Sequence, residues 1–352
     1  MVKIIQKIVV LGTGGTIAGT AASSADHTGY TAAQIGVAQL LDGIGGLKEV
    51  LQGTSHPTEL VTEQVAQIDS KDMDFATMAR LAVRCAHHLA QSDVRAVLVT
   101  HGTDTLEETA WFLYLVLPAD LLAAKPVVIT CAMRPATSSQ ADGPRNLLDA
   151  VQVALDAQAC GVLAVCAGDV HSAVQVQKVH SHALNAFSSA CEDGAQPLGR
   201  LNMPGSAQQA CQQPAVHWNA PAKAFLLSNK PVVQVFTTQA AMQLIAHTTS
   251  WPRVEIVHNY AGATGAVVRA LLADGAAPMR GIVAAGTGNG TLSADLQAAL
   301  EHAVQRGVKV LRSTRCAFGS VTALPSDTLT ATPFTPAKAR IALTLQLLAE
   351  GA

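Results

Sequence analysis

The sequence predicts an α/β protein with a larger N-terminal doubly wound domain, built on a mostly parallel sheet, and a smaller C-terminal Rossmann-like α/β domain. The length of 352 residues suggests two domains, since a domain usually takes roughly 100–200 residues. Hydrophobic residues make up 49% of the chain and charged residues only 14%, which excludes intrinsic disorder. Short Val- and Ile-rich runs alternate with longer amphipathic segments, a pattern typical of strands covered by helices on both faces.

The predicted strands are apolar on both faces, as expected for a covered parallel sheet. They are Lys7–Leu11, Val94–Thr100, Pro126–Cys131, Gly161–Cys166, Pro231–Phe236, Val254–His258, Gly281–Ala285 and Val308–Arg312. The predicted helices are Asp72–Ala90, Thr105–Leu117, Pro144–Ala159, Ala294–Arg306 and Pro336–Ala349.

A stretch rich in proline and glutamine, residues 199–225, separates two series of predicted strands and helices. Such a composition favours an extended linker. We therefore expect an N-terminal domain over residues 1–198 and a C-terminal domain over residues 226–352.

Charge and hydropathy exclude two classes of partner. The net charge is −2 and the isoelectric point is about 6.6, whereas a protein that binds phosphate backbones is usually basic, so we expect no nucleic-acid partner. Mean hydropathy is +0.28, yet the sequence has no uninterrupted apolar run of about 18 residues, so we expect no membrane partner.

The cysteine pattern indicates a reducing compartment. The seven cysteines are odd in number and contain no C-x-x-C pair, which disfavours a disulfide framework or a zinc cluster. The first residues run directly into a predicted strand without the apolar core of a signal peptide. We expect a cytoplasmic protein, or a periplasmic one if a leader has been removed.

A glycine-rich turn, Gly12-Thr-Gly-Gly-Thr-Ile-Ala-Gly19, follows the first predicted strand. The dinucleotide pattern fails because Ile17 stands at its third glycine, and the P-loop pattern fails because no Lys follows Gly19. The turn instead presents Thr13 and Thr16 beside free backbone N–H groups, where a threonine hydroxyl becomes a nucleophile if a base removes its proton. The alternative is a structural turn with incidental threonines.

A second polar segment, Thr100-His-Gly-Thr-Asp-Thr-Leu-Glu-Glu-Thr109, also follows a predicted strand. Thr105 and Glu108 have the spacing of a capping box, which predicts the start of a helix. Thr103 and Asp104 then lie at the strand-to-helix turn, where open α/β sheets bind their ligands. The alternative is that this turn merely caps the helix, and that the neighbouring His101 is a packing residue.

Other polar positions are weaker candidates by pattern alone. Ser70-Lys71-Asp72 opens a predicted helix, and the alternative to a functional role is simple N-capping by Ser70 or Asp72. Asp142, in the polar loop that runs from Ala132 to Gly143, is expected near the N-cap of the next helix. Lys178 is expected at the surface. His180 and His182 are too few for a metal site.

Taken together, Thr13–Gly19 and Thr100–Thr109 closely resemble the two motifs that mark the bacterial-type L-asparaginase/glutaminase family. Supporting stretches follow in order through nearly the whole chain. They are AMRPATS at 132–138, ADGP at 141–144, AGTGNGTL at 285–292 and RSTR at 312–315. The resemblance implies hydrolysis of the side-chain amide of L-asparagine to L-aspartate and ammonia, without metal or cofactor.

The resemblance also implies roles for individual residues. Thr16 matches the family's nucleophile and Tyr30 the tyrosine of its mobile lid. Thr103, Asp104 and Lys178 match a second triad. The residues that the resemblance places against substrate are Gly15, Ser70, Lys71, Gly102, Thr103, Asp104 and Ala132, with Ser70 gripping the α-carboxylate and Asp104 pairing with the α-ammonium. Backbone N–H groups of the two turns would hold the oxyanion.

Two positions depart from the family pattern. Lys71 stands where many members have Gln, which adds a positive charge beside the substrate α-carboxylate. Thr291 stands where many members have Asn, in a stretch that usually contributes to the neighbouring subunit's site. The resemblance implies a homotetramer whose sites lie between the larger domain of one chain and the smaller domain of its neighbour.

Two alternatives to an L-asparaginase stay open. One is a mixed glutaminase–asparaginase that also accepts L-glutamine. The other is a family-like domain that binds an amino acid as a sensor or acts as a subunit of a tRNA-dependent amidotransferase. The isoelectric point disfavours the tRNA role, and the complete set of matched catalytic residues disfavours the sensor.

Overall fold

The computed structural model describes residues 5–26, 29–42, 44–54, 56–189, 196–202, 216–219 and 239–351. For residues 239–241 it describes the backbone alone. The described residues fall into two compact units, one within Met1–Ser189 and Gln196–Ala246 and the other within His247–Ala352. In the described ranges, no helix has both the length and the apolar character needed to cross a membrane.

The first unit alternates strands and helices. Its strands are β1 Gln6–Gly14, β2 Thr20–Ala21, β3 Tyr30–Thr31, β4 Thr58–Ile68, β5 Val94–Thr100, β6 Val127–Thr130, β7 Val162–Cys166, β8 Asp169–Ser172, β9 Val176–Lys178, β10 Phe187–Ser189, β11 Gly199–Leu201 and β12 Val216–Trp218. Its helices are α1 Val37–Leu41, α2 Leu47–Gln52, α3 Phe75–Leu89, α4 Leu106–Val116, α5 Ala119–Ala124, α6 Gly143–Leu155 and α7 Gln239–His247.

Eight of the described strands form one sheet in the order β12-β11-β8-β7-β6-β5-β1-β4. Strands β4, β1, β5, β6 and β7 are parallel, and β8, β11 and β12 add antiparallel neighbours. The parallel strands thus have the doubly wound order 2-1-3-4-5. In such sheets the ligand crevice opens at the carboxyl ends of the first and third strands, where the winding reverses. Here those strands are β1 and β5.

Helices cover both faces of the parallel strands. On one face, α6 packs Leu147, Val151 and Ala154 against Val128 and Leu163 of the sheet. On the other face, α3 and α4 contact β5 and β7. Each fully buried Leu or Val contributes about 1.5–3 kcal/mol, so the strand ends rest on a rigid core.

The second unit is a smaller parallel sheet, β13-β14-β15-β16. Its elements are β13 Val254–His258, α8 Ala266–Ala273, β14 Gly281–Gly286, α9 Ala294–Gln305, β15 Lys309–Thr314, β16 Thr330–Ala331 and α10 Pro336–Glu350. Helix α9 packs Leu296 and Leu300 on one face of the sheet, and α10 packs Leu343 and Leu347 on the other. The predicted fold class is confirmed.

The described strands and helices match most predicted elements, but several described elements were not predicted. Strand β4 was not predicted, because it lies at the sheet edge and many of its side chains are exposed. The predicted linker at 199–225 contains β11 and β12, which pair with each other and extend the large sheet. The predicted strand Pro231–Phe236 lies outside the described residues.

The helix predicted from Asp72 begins later. Ser70–Asp72 forms a single 3₁₀ turn, in which the Asp69 carboxylate accepts the Lys71 N–H. Helix α3 begins only after Asp74, whose carboxylate accepts the Thr77 N–H at 2.7 Å. The caps are therefore Asp69 and Asp74, and not Ser70 or Asp72 as the alternative had it.

Candidate active site

Three turns meet at the carboxyl ends of β4, β1 and β5. A Cβ atom on Gly15 would lie 2.4 Å from both the Cα and the N of Gly102, and a Cβ atom on Gly102 would lie 2.3 Å from the Ser70 hydroxyl oxygen. Gly15 also has a φ of 81°, in the left-handed region that favours glycine. Only glycine at both positions lets the backbones approach this closely, so the residues that follow them, Thr16 and Thr103, lie on neighbouring turns.

The Thr16 hydroxyl pairs with Tyr30. Thr16 begins a 3₁₀ turn directly after Gly15 and is 7% exposed. Its Oγ1 lies 2.7 Å from the Tyr30 hydroxyl oxygen, and either group can be the donor. The sequence separation is 14 residues, and the antiparallel pair β2–β3 spans it by setting Ala21 opposite Tyr30.

The segment that carries Tyr30 rests on the loop after β6. The Ala21 N–H donates to the Thr137 hydroxyl at 2.8 Å, and the Ser139 N–H donates to the Ser24 carbonyl at 3.1 Å. The Ala33 N–H donates to the Gly15 carbonyl at 3.1 Å. These contacts hold the segment over the Gly15 turn, with Tyr30 directed at Thr16.

Lys178 forms hydrogen bonds with both Thr103 and Asp104, the other two residues of the expected second triad. Its Nζ donates to the Thr103 hydroxyl at 2.8 Å and to the Asp104 carboxylate at 2.7 Å. The Lys178 side chain is only 18% exposed, whereas that of Asp104 is 53% exposed. Lys178 is thus not the solvated surface residue that its sequence pattern alone suggested, and one face of the Asp104 carboxylate stays open to a ligand.

Glu107, which the sequence analysis did not single out, ties the Lys178 strand to α4. The Lys178 N–H donates to Glu107 Oε2 at 2.6 Å. Lys178 stands opposite Phe187 in the antiparallel pair β9–β10, and a two-stranded pair is marginally stable by itself. The Glu107 carboxylate therefore docks this pair beside Thr103. The signal was present, because Glu107 lies in the same motif as Thr103, but a first-turn glutamate is also what the helix dipole favours.

Ser70 supports the turn that carries Asp104. Its hydroxyl accepts the Asp104 N–H at 3.2 Å, and its carbonyl accepts the Thr105 hydroxyl at 2.7 Å. Thr105 is at the N-cap of α4 but makes no side-chain cap bond, so the predicted capping box is absent. Its hydroxyl instead joins the 70–72 turn to the 103–105 turn.

Lys71 lies at the exposed rim. Its side chain is 62% exposed and pairs with Asp69 at 2.6 Å and with Asp72 at 3.7 Å. The hydrogen bond to Asp69 raises the pKa of Lys71 above its ordinary value. Lys71 is therefore a solvated cation beside Ser70.

The loop after β6 is held by Asp142 and Asn146. Asp142 stands at the N-cap position of α6 without a cap bond, and its carboxylate instead accepts the N–H groups of Met133 and Arg134, both at 2.9 Å. Asn146 donates to the Cys131 carbonyl at 2.9 Å. Ala132, between these anchors, is fully buried, so only its backbone is available to a ligand.

His101 is a buried neutral side chain. Its Nδ1 donates to the Gly102 carbonyl at 2.8 Å. Burial lowers the pKa of His101 from 6.5 to about 4. The imidazole braces the Gly102 turn from inside the protein.

Metal ligation has little support in this part of the chain. Within the described ranges, no group of three or more His, Cys, Asp and Glu side chains is arranged to hold a metal ion. His180 Nδ1 accepts the N–H groups of His182 and Ala183 at 3.2 and 3.0 Å, so that nitrogen is already occupied.

Comparisons with known proteins agree along the whole chain. Residues 7–209 match the family model "Asparaginase, N-terminal", and residues 253–351 match "Glutaminase/Asparaginase C-terminal domain". One match covers most of the first compact unit and the other covers most of the second.

Individual relatives cover most of the chain. L-asparaginase 2 of Bacillus subtilis (strain 168) is 33% identical over 351 residues, which are 98% of this chain and 83% of that protein. Glutaminase-asparaginase of Pseudomonas fluorescens biotype A is 34% identical over 312 residues, 88% of this chain and 75% of that protein.

The crystal structure of a probable cytoplasmic L-asparaginase from Campylobacter jejuni superimposes with a TM-score of 0.80 at 33% identity. The match covers 97% of this chain and 95% of that one. The sequence matches and the shared fold extend over both units, and the chain therefore belongs to the asparaginase/glutaminase family.

Proposed function

We propose that the chain is an L-asparagine amidohydrolase that forms a covalent acyl-threonine intermediate. The observation that carries the proposal is the pairing of two threonine hydroxyls on touching turns, Thr16 with Tyr30 at 2.7 Å and Thr103 with Lys178 at 2.8 Å. Each hydroxyl has a hydrogen-bonding neighbour that can relay a proton. Such pairing is what activates a weakly nucleophilic alcohol.

In the first half of the reaction, Thr16 Oγ1 attacks the side-chain amide carbon of L-asparagine and passes its proton to the Tyr30 oxygen, while Tyr30 passes its own hydroxyl proton to the departing nitrogen. The C–N bond then breaks, the nitrogen leaves as ammonia after protonation, and an aspartyl ester remains on Thr16. An amide is a poor electrophile, so dividing the hydrolysis into two steps lowers each barrier. Backbone N–H groups at the two glycine turns are placed to stabilise the oxyanion.

In the second half, water attacks the ester carbonyl and releases L-aspartate. The Asp104–Lys178–Thr103 chain would serve this step by holding the Thr103 hydroxyl toward the attacking water, because Lys178 Nζ donates to both partners. The proton of the water would return to Thr16 through the Tyr30 hydroxyl as the ester bond breaks. Asp104 both orients Lys178 and faces solvent. Its open face would bind the substrate α-ammonium, while Ser70 and the Lys71 charge would bind the α-carboxylate.

The second candidate is a mixed glutaminase–asparaginase. It is favoured by the similarity to a relative named glutaminase-asparaginase and by the exposed Lys71 at the rim. L-Glutamine is one methylene longer, and one methylene usually changes discrimination by about 10–200-fold. We therefore expect L-asparagine and L-glutamine to be hydrolysed by the same mechanism but at different rates.

The test is ammonia release from L-asparagine and L-glutamine by the full chain and by Thr16→Ala, with Thr13→Ala as the control. We expect activity on L-asparagine that falls by at least about 10³-fold in Thr16→Ala, because the nucleophile is gone. Thr13 donates to the Thr100 carbonyl at 2.8 Å, so its variant should retain most of the activity. A folded wild type that releases no ammonia would favour the sensor alternative.

We further propose a homotetramer with sites completed by neighbouring subunits. Support comes from large apolar side chains of the second unit that are at least half exposed, namely Tyr260, Val267, Phe318 and Leu324, since exposed apolar surface commonly marks association sites. Light scattering tests the mass. An active monomer would contradict the shared site.

A cytoplasmic location is also proposed. The name of the Campylobacter jejuni protein and the free buried thiols of Cys85, Cys131 and Cys166 support it. A relative from Haemophilus influenzae is named as periplasmic, so cell fractionation is the deciding measurement.

A further inference from the structure

Two buried thiols face each other beside the candidate active site. Cys131 Sγ lies 3.2 Å from Cys166 Sγ, and the two residues are 2% and 4% exposed. Neither thiol has a role in the proposed hydrolysis. Both are free cysteines in this structure.

The sheet register sets this contact. Thr130 of β6 pairs with Val165 of β7, so Cys131 and Cys166 are the next residues along two parallel neighbours. Adjacent strands lie about 4.7–4.9 Å apart, which is within the range of about 4.4–6.8 Å that disulfides span between Cα atoms. Neighbouring strands at this general spacing can therefore be cross-linked, and the two sulfur atoms are already 3.2 Å apart.

We propose that Cys131 and Cys166 are an oxidation site, at which a peroxide-class oxidant forms a reversible disulfide that lowers the activity of the neighbouring site. One thiol gives up its proton as its sulfur attacks a peroxide oxygen, the O–O bond breaks, and a sulfenic acid and water result. The second thiol then attacks the sulfenic sulfur and expels another water. Two thiols and one H₂O₂ thus give one disulfide and two waters, and a dithiol reverses the change.

The reduced pair is stable without such an oxidant. The hydrogen bond with Cys166 and burial raise the pKa of Cys131 well above its ordinary value. A protonated, buried thiol reacts slowly with general alkylating agents. Its partner sulfur, however, is already in contact, so the second step needs no diffusion.

The cross-link would act on the loop after β6. Closing the sulfur–sulfur separation from 3.2 Å to about 2.05 Å requires a movement. Asn146 restrains both strand ends, since it donates to the Cys131 carbonyl at 2.9 Å and accepts the Ala167 N–H at 3.1 Å. The movement therefore passes to Ala132 and to the turn beyond it. Shifts of about 1 Å near reacting groups can change rates by about 100-fold.

The experiment treats the full-length protein with H₂O₂, maps the peptides by mass spectrometry, and measures ammonia release before and after a dithiol. We expect a Cys131–Cys166 peptide that loses two hydrogens, and a fall of about tenfold in kcat/KM that the dithiol restores. The activity part rests on the proposed function, whereas the cross-linked peptide does not depend on it. A protein inactive before treatment would therefore contradict the hydrolase proposal without affecting the mapping.

Matched variants separate this site from general oxidation. Cys166→Ala and Cys131→Ala should keep their activity under peroxide. Cys85→Ala, another buried cysteine, and Cys316→Ala, an exposed one, should respond as the wild type does. Oxidation confined to other cysteines, or a Cys131–Cys166 link with unchanged kcat/KM, would overturn the proposal. If either pair variant fails to fold, the other variant and the wild-type map still decide.

Discussion

Gly15 and Gly102 touch through their backbones across the carboxyl ends of two neighbouring parallel strands. A Cβ atom on Gly15 would lie 2.4 Å from the Cα of Gly102. The contact brings the turns that carry Thr16 and Thr103 together at the point where the winding of the sheet reverses. It joins the two halves of the candidate active site.

Gly15→Ala should therefore remove activity and destabilise the protein. The new methyl group meets rigid backbone, and the left-handed φ of 81° adds strain, so we expect a loss of at least about 2 kcal/mol. Gly168→Ala is the matched control, because its φ of 82° is the same while nothing lies within 4 Å of its Cβ position. Ammonia release and denaturant unfolding of both variants check the prediction. Equal losses of stability in the two variants would show that backbone strain, and not the contact with Gly102, causes the destabilisation.

Glu107 is predicted to position Lys178. Glu107→Ala leaves the Lys178 N–H without its acceptor and should lower kcat about tenfold or more, with KM within about threefold. Glu107→Gln keeps an acceptor oxygen and should restore most of kcat. Glu49→Ala removes a first-turn carboxylate from α2 and controls for the helix dipole. Equal losses of kcat in the Ala and Gln variants would argue against a positioning role.

Lys71 is predicted to contribute to substrate affinity only weakly. Its side chain is 62% exposed, and exposed ion pairs contribute at most about 1 kcal/mol. Lys71→Gln should raise KM for both amides by up to about fivefold at low salt and leave kcat unchanged, and the difference should shrink as salt is added. Lys48→Gln, an exposed lysine on α2, is the control. A large change in kcat would instead assign Lys71 to the chemistry.

His101 is predicted to make the free energy of unfolding depend on pH. Its pKa is lowered from 6.5 to about 4 by burial, so between these pH values the unfolded chain binds a proton that the folded chain does not. Stability from this group is complete above pH 6.5 and is lost as the pH falls, by about 1.4 kcal/mol per unit at most. His101→Gln should reduce the slope of unfolding free energy between pH 6.5 and 4. Parallel slopes for both proteins would contradict the buried neutral state.

The glycine-rich turns were predictable because their constraints are local. A left-handed backbone at Gly15 and a close approach at Gly102 require residues without a side chain, and the sequence shows glycine at both. The buried strands were predictable for a similar reason, since a run such as Lys7–Leu11 is apolar on both faces. The glycine turns and the buried strands therefore do not depend on residues that are distant in sequence.

Other features depend on partners that are remote in sequence. Lys178 has the pattern of a surface lysine, and its contacts with Thr103 and Asp104 arise only when β9 docks on α4. Strand β4 exposes alternate side chains at the sheet edge and therefore lacks an apolar run. Lys178 was singled out through family resemblance alone, and the role of Glu107 became visible only in three dimensions.

The distance along the chain between the site residues also bears on folding. Lys178 is 75 positions from Thr103, and Thr13 is 87 positions from Thr100. Contacts between such remote segments form late, because the loop entropy must be overcome before they stabilise the chain. Recovery of ammonia release during refolding should then lag behind recovery of helical circular dichroism. A growing chain at the ribosome would become an enzyme only after the β9–β10 pair has emerged and docked.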